Sequence, residues 1–343
     1  MLAVATQARF ADWARIALGA RSAILGDVLG GGNANVTRRV TIDGAPMVLR
    51  HPPAETVSDR AAAGIRREYD LLCAVAGAAP VPTPIAFCDD AAVIGAPFML
   101  AGFVDGVAIT DTLPSAYGND DATVTRIGEE LIDALAAVHR IDWGATLPAG
   151  FGRPDGFVRR QVERWLAVRA RDAVRALPEI ERLGAWLLQH LPEEGDATIV
   201  HCDYHLDNTL FARDTPRLAA IVDWEMATVG PPLVDVGLVT MFWNRDQSAS
   251  RGFPFIQAVS NRRGVPTGQA LAERWSTATG FSIADLAYYQ VFAFWRLAAI
   301  VEGAFVLQVQ GRVDTAYARG LEHDVPALLA AAEWVAGIDG AAG

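Results

Sequence analysis

The sequence predicts an α+β protein in which a small antiparallel sheet gives way, near residue 105, to a larger helical region. Three observations carry this. Residues 38–50 alternate polar and apolar on both sides of Asp43-Gly44, a strong signal for a tight hairpin. Pro80, Pro82 and Pro84 then break the chain, and two short apolar runs follow, at 85–88 and 97–104. Beyond these, long amphipathic patterns dominate, at 124–141, 180–191 and 286–310.

Between hairpin and prolines the spacing predicts one helix. It begins at Ser58, carries Ile65, Tyr69, Leu72 and Cys73 on one face, and ends near Gly77. This is the one helix expected in the first third of the chain. Gly102, Asp105 and Gly106 are the expected hinge between residues 1–104 and residues 105–343.

Composition narrows the class. Of 343 residues, 52% are hydrophobic and 20% charged, which excludes a largely disordered chain. No uninterrupted apolar run approaches the roughly 20 residues of a membrane-spanning helix. Asp12 and Arg15 interrupt the layout of a secretion signal. Three widely spaced cysteines, Cys73, Cys88 and Cys202, point to a reducing compartment rather than a disulfide framework or zinc cluster, and a cytoplasmic location is expected. A net charge of -11 disfavours nucleic-acid partners, and no membrane partner is expected.

The chemistry concentrates in Ile199-Val-His-Cys-Asp-Tyr-His-Leu-Asp-Asn-Thr-Leu-Phe211 and Ala220-Ile-Val-Asp-Trp-Glu225. Phosphoryl transfer needs a carboxylate to orient the attacking hydroxyl and oxygen ligands for magnesium. Asp203, Asn208 and Asp223 supply that set, each just past a short apolar run. A lone Asp or Asn would read as a turn cap. The ordered trio reads as catalytic.

His201-Cys-Asp-Tyr-His-Leu-Asp-Asn208 with Val222-Asp-Trp-Glu225 resembles the aminoglycoside phosphotransferase and choline kinase superfamily, especially its kinase-like domains related to, or fused with, acyl-CoA dehydrogenases. The resemblance runs from about residue 29 to about residue 311. It implies a protein-kinase-like two-lobed fold, with residues 1–104 as the nucleotide-binding lobe and 105–343 as the helical lobe carrying catalytic loop, metal site and acceptor pocket. It further implies Asp203 as catalytic base, Asn208 and Asp223 as metal ligands, and His201 and Asp235 as supports of the loop. The cofactors implied are ATP and Mg2+, with GTP left open, and the partner is a small molecule bearing a hydroxyl.

The nucleotide end fits independently. Leu29-Gly-Gly-Gly-Asn-Ala-Asn-Val36 is a turn able to set backbone N–H groups against phosphates, through Gly30, Gly31, Gly32, Asn33 and Asn35. A dinucleotide fingerprint should open a helix, whereas the residues after Asn35 alternate as a strand. Arg50, ending Met47-Val-Leu-Arg50, is expected to hold phosphates and to pair with Glu68. The acyl-CoA-dehydrogenase-related branch resembles this chain in using arginine where most kinases have lysine. Ala101-Gly102-Phe103 aligns with the segment whose backbone binds adenine, where relatives commonly show Met-Glu. Relatives often carry glycine in place of Cys202 and aspartate in place of Pro231.

For the acceptor the sequence offers Trp165, Trp224, Glu225 and Arg296, with Trp243 and Trp295 more consistent with core. Arg296 lies on a strongly apolar stretch, where it either binds an anionic acceptor or pairs with Asp235 or Glu225. Asp246, Glu302 and Glu225 are scattered for a polycationic drug. The branch resemblance suggests a hydroxy acid or its acyl thioester instead. Two other functions compete: a nucleotide-binding pseudokinase or regulatory module, and a metal-dependent hydrolase using His201 and His205. The first would normally have lost the base or a metal ligand, and the second lacks further histidines at ligand spacing.

Overall fold

The structure is a computed structural model that describes residues 4–31, 35–53, 58–244 and 257–338. The chain divides into two compact units: Met1–Gly106 with Gly144–Phe151 and Ala219–Ala227, and Val107–Trp143 with Gly152–Leu218 and Thr228–Gly343.

The first unit is built on a five-stranded antiparallel sheet of β1 (Ala23–Gly31), β2 (Val36–Ile42), β3 (Ala45–His51), β4 (Pro84–Cys88) and β5 (Phe98–Gly102), in the order β1-β2-β3-β5-β4. Asp43 and Gly44 take φ of 49° and 82°, the left-handed pair that a two-residue hairpin of matching twist requires. The Asp43 carboxylate accepts from the Arg21 and Ser22 N–H groups at 2.9 and 2.8 Å. Ser58 caps α2 (Asp59–Val75) by accepting from the Ala61 N–H.

A second helix that the sequence pattern did not announce, α1 (Val4–Leu18), precedes the sheet. Its apolar face is narrow, with Phe10 and Ala14 buried beside Val40, Leu49 and Phe98. So thin a stripe gives little 3.6-residue periodicity to read. Cys73, on α2, is exposed.

The second unit is helical: α3 (Asp121–His139), α5 (Phe157–Asp172), α6 (Pro178–Gln189), α7 (Leu233–Phe242), α8 (Gly268–Thr279), α9 (Leu286–Val309) and α10 (Ala316–Ala336). A short helix, α4 (Trp143–Thr146), lies at the boundary between the units. Helix α9 is 24 residues long and apolar enough on average to match a spanning helix, although Arg296 and Glu302 interrupt its apolar run. The reason lies in its packing: α9 is the core helix against which α7, α10, α5 and α6 lie, and most of its length is buried.

Pro326 interrupts α10. Proline has no N–H for the carbonyl four residues back, here Glu322, and Arg175 Nη1 donates to that oxygen at 2.8 Å instead.

Strand β6 (Thr198–Val200) pairs with β9 (Thr228–Gly230) and delivers the chain into the loop that begins at His201. The loop ends in a 3₁₀ turn, Leu206–Asn208, followed by a hairpin of β7 (Thr209–Phe211) and β8 (Leu218–Ile221).

Candidate active site

In the first unit Arg50 gathers three carboxylates. Its Nη2 lies 2.5 Å from Asp223 Oδ1 and 3.0 Å from Glu225 Oε2, and its Nε is 3.1 Å from Glu68 Oε2. The last contact is close, but neither atom makes a hydrogen bond, so Glu68 is held by charge rather than by an aligned N–H. Burial opposes the Arg50 charge, yet Glu68, Asp223 and Glu225 outweigh it and hold its pKa above the ordinary value.

Glu68 is pushed the other way. Burial, with Asp223 and Glu225 adding repulsion and Arg50 opposing, raises it from 4.5 to about 7. Between those values the folded chain holds a proton that the unfolded chain releases. This contribution to stability is therefore full below about pH 4.5 and is lost as pH rises through about 7. Urea denaturation across that window is expected to show a fall that Glu68→Gln flattens. An equal slope in both proteins would contradict the assignment.

Asp223 adopts φ 65°, a left-handed conformation that aspartate tolerates better than most residues. Asn35 Nδ2 donates to Glu225 Oε2 at 2.9 Å, so Glu225 bridges the two residues expected at the nucleotide phosphates. Glu225 had been expected among acceptor contacts. It is held instead by a local cation and amide. Gly30 and Gly31 end β1, while Gly32 and Asn33 lie outside the described residues. Val36 begins β2, so the described chain after these glycines resumes as a strand and not as a helix. Ala101 and Gly102 pair with Val48 and Met47, the Gly102 N–H donates to Thr83 O, and Arg39 lies over the Phe103 ring.

In the second unit the 201–208 loop is held from several sides. Asp235, fully buried on α7, accepts from the His201 N–H at 2.6 Å and the Cys202 N–H at 2.7 Å. Its Oδ2 is also 3.3 Å from His139 Nε2. Trp275 donates its indole N–H to His139 Nδ1, so that nitrogen is an acceptor and Nε2 carries the proton toward Asp235. A chain from Trp275 through His139 and Asp235 thus anchors the loop backbone. Neither Trp275 nor His139 could be found from sequence, because their partners are more than 90 residues away.

Cys202 has φ 67°, an unfavourable conformation for a residue with a Cβ. Asp235 fixes its N–H and Arg296 Nη1 donates to its carbonyl at 2.8 Å. Cys202→Gly is expected to change stability by less than about 1 kcal/mol, relief of strain offsetting lost packing, whereas Cys202→Val should destabilise by about 2 kcal/mol or more. Thermal unfolding of both checks this.

Asp203 follows. Its N–H donates to His201 Nδ1, which commits that nitrogen and removes it from any metal-ligand role. The Asp203 carboxylate accepts from Asn208 Nδ2 at 2.9 Å, and the same amide donates to the Asp203 carbonyl at 2.8 Å. With both amide hydrogens directed at Asp203, the Asn208 oxygen is turned away and available to a cation. Burial works against the Asp203 charge, but a hydrogen bond and charge from His205, with smaller help from the His201 ring and the Asn208 hydrogen bond, draw it down from 3.8 to about 2. His205 Nε2 is 3.5 Å from Asp203. Tyr317 on α10, which no pattern marked, is near enough that partial burial, Asp324 and Asp203 raise its phenol.

The remaining acceptor candidates separate. Arg296 is buried and lines a small cavity with Asp203, Val234 and Ile300; among the described residues it has no ion-pair partner, neither Asp235 nor Glu225. Trp224, expected at the acceptor, is instead buried in the first unit and bonds Ile221 O. Trp243 and Trp295 are core, their indoles on Pro266 O and Ile180 O. Trp165 lines a separate cavity between α5 and α9. Glu302 is taken by Arg169 and Arg175, and Asp246 lies outside the described residues. Among the described residues no three His, Cys, Asp or Glu side chains are grouped to hold a metal. The Asn208 amide oxygen is a hard donor of the kind magnesium takes alongside phosphate oxygens.

Residues 27–271 match the phosphotransferase enzyme family. Mouse acyl-CoA dehydrogenase family member 10 is 30% identical over 294 residues, covering 84% of this chain but only 27% of that protein. The chain thus spans about a quarter of the length of this curated relative. Among solved structures, a Ralstonia eutropha JMP134 protein provisionally assigned as an aminoglycoside phosphotransferase superposes with a TM-score of 0.79 at 28% identity, covering 96% of this chain and 98% of that one. The GDP complex of an aminoglycoside 2'-phosphotransferase-IIIa mutant shares the fold, with a TM-score of 0.62 at 16% identity over 96% and 97% of the two chains. With these similarities and the sheet and helices described, the chain belongs to the phosphotransferase enzyme family and has its kinase-like α+β fold.

Proposed function

We propose that this chain is a small-molecule kinase that moves the terminal phosphate of a magnesium-bound nucleotide, ATP in the first instance, to an acceptor hydroxyl. The observation that carries this is the Asp203–Asn208 pair, in which a strongly ionised carboxylate and an oriented amide share one loop.

In this reading Asp203 accepts the hydrogen bond of the acceptor hydroxyl and aims its oxygen at the phosphorus. A carboxylate drawn down to about 2 is a weak base before bond formation. Its first contribution is therefore orientation, and it takes the proton late, when the hydroxyl oxygen has become acidic. Asn208 and Asp223 would hold magnesium, which when bound neutralises charge on the phosphate oxygens. Arg50, beside Glu68, would exchange Asp223 and Glu225 for phosphate oxygens, supported by the 30–35 turn and Asn35. Main-chain groups at 101–103 would take the base. A hydroxy acid or its acyl thioester fits the acceptor better than an antibiotic, since the carboxylates Glu225 and Glu302 are already held by arginines.

The test is nucleotide consumption with ATP and with GTP against hydroxy acids, hydroxyacyl thioesters and aminoglycosides, with Asp203→Ala as control. Turnover of a panel member that the control lacks supports the reading. Magnesium-dependent nucleotide binding with no turnover on any member would favour a regulatory module.

A further inference from the structure

A second cavity lies within the helical unit, between the C-terminal halves of α5 and α9. Its volume is about 370 Å³, in the range of small-molecule sites. Val168, Ile180 and Val306 give it apolar walls, and Trp165, Arg169 and Arg312 bring nitrogen donors. Trp165 Nε1 and Arg169 Nε are both out of contact with solvent and have no hydrogen-bond acceptor among the described residues. A buried donor left in that state is unfavourable, and two on one cavity wall are unusual for a surface recess.

The charges point the same way. Arg175 occupies both oxygens of Glu302, at 3.1 and 2.6 Å. Arg169, 8% exposed, is left with a longer 3.3 Å contact to one of those oxygens and stands 3.7 Å from Glu181. Its Nη2 donates to Arg175 O, so Nε alone of its nitrogens lacks an acceptor. Arg312 has no carboxylate within ion-pair distance among the described residues. Asp172, also on the cavity wall, is bound by Arg171 at 2.6 Å. A site with apolar walls, two idle donors and an Arg312 that has no carboxylate partner among the described residues suits an anionic head on a short hydrocarbon chain.

We propose that this cavity binds a small anionic amphiphile, a carboxylate or phosphate ester whose chain lies against Val168, Ile180 and Val306 and whose oxygens answer Trp165, Arg169 and Arg312. The cavity lies wholly in one unit and binding requires neither nucleotide nor turnover, so the inference is independent of the phosphotransfer reading. Calorimetric titration of the full chain, free of nucleotide, with hexanoate, hexyl phosphate and 1-hexanol tests it. One or both anions should bind saturably in the millimolar range or tighter, with hexanol about tenfold weaker or worse. The tighter of the two anions identifies the head group. Arg312→Gln, at the exposed end of the cavity, and Trp165→Phe, which keeps the ring but removes its N–H, should each weaken that binding by about tenfold. Absence of saturable binding by either anion, equal binding of hexanol, or unchanged affinity in both variants would overturn the proposal. Arg312→Gln keeps the test decisive even if Trp165→Phe fails to fold.

Discussion

Asp203→Ala is expected to lower turnover by about a thousandfold while leaving nucleotide affinity within a few-fold of the parent. The first part follows from the proposed role: a positioned general base contributes about 10²–10⁴ in rate. The second follows from the geometry. Asn208 Nδ2 donates to both the carboxylate and the main-chain carbonyl of residue 203. Removing the side chain leaves the 2.8 Å carbonyl bond, so the amide keeps its orientation. The Arg50 cluster belongs to the other unit and loses no partner. Steady-state rates and nucleotide titration separate the two effects. Turnover within tenfold of the parent would remove Asp203 from the chemistry.

Asp235→Ala should be the most damaging change to stability, at about 3–5 kcal/mol. The carboxylate is fully buried and answers the N–H groups of His201 and Cys202 and the proton on His139 Nε2. Deleting it strands three buried donors, each worth about 1–3 kcal/mol, only partly relieved by water entering the space. Asp235→Asn should fall between, because one amide oxygen can serve one donor while its NH₂ group faces another. Chemical denaturation gives the magnitudes. A loss below about 1 kcal/mol for the alanine variant would show that the loop holds without this anchor.

Much of this was legible before any coordinates. The Asp43-Gly44 hairpin, the helix capped by Ser58 and the strand after the glycine turn rest on local patterns, and local patterns survive in a single sequence. The Arg50–Glu68 pair was legible for another reason: resemblance assigned both residues a shared task. What escaped was long-range or lacked a period. Helix α1 buries too narrow a stripe to announce itself. Arg296 was weighed against carboxylates, but its partner is a main-chain carbonyl, Cys202 O, which no composition or spacing reveals. The sequence offers Glu225 among the acceptor candidates. The 3₁₀ turn Trp224–Met226, entered through the left-handed Asp223, leaves its carboxylate on Arg50 and Asn35.

Pro326 deserves a different weight from that usually given to a mid-helix proline. The oxygen it leaves vacant on Glu322, with that of Leu321 beside it, is where the Arg175 fork divides, the same guanidinium also clasping Glu302 and lying over Phe305. An ammonium group has neither the planarity nor the spread to serve all of these at once. Restoring an ordinary residue at 326 would offer Glu322 a rival donor from its own backbone. The interruption thus supplies the seat for a distant side chain, and evolution at 175 and 326 is expected to be tied.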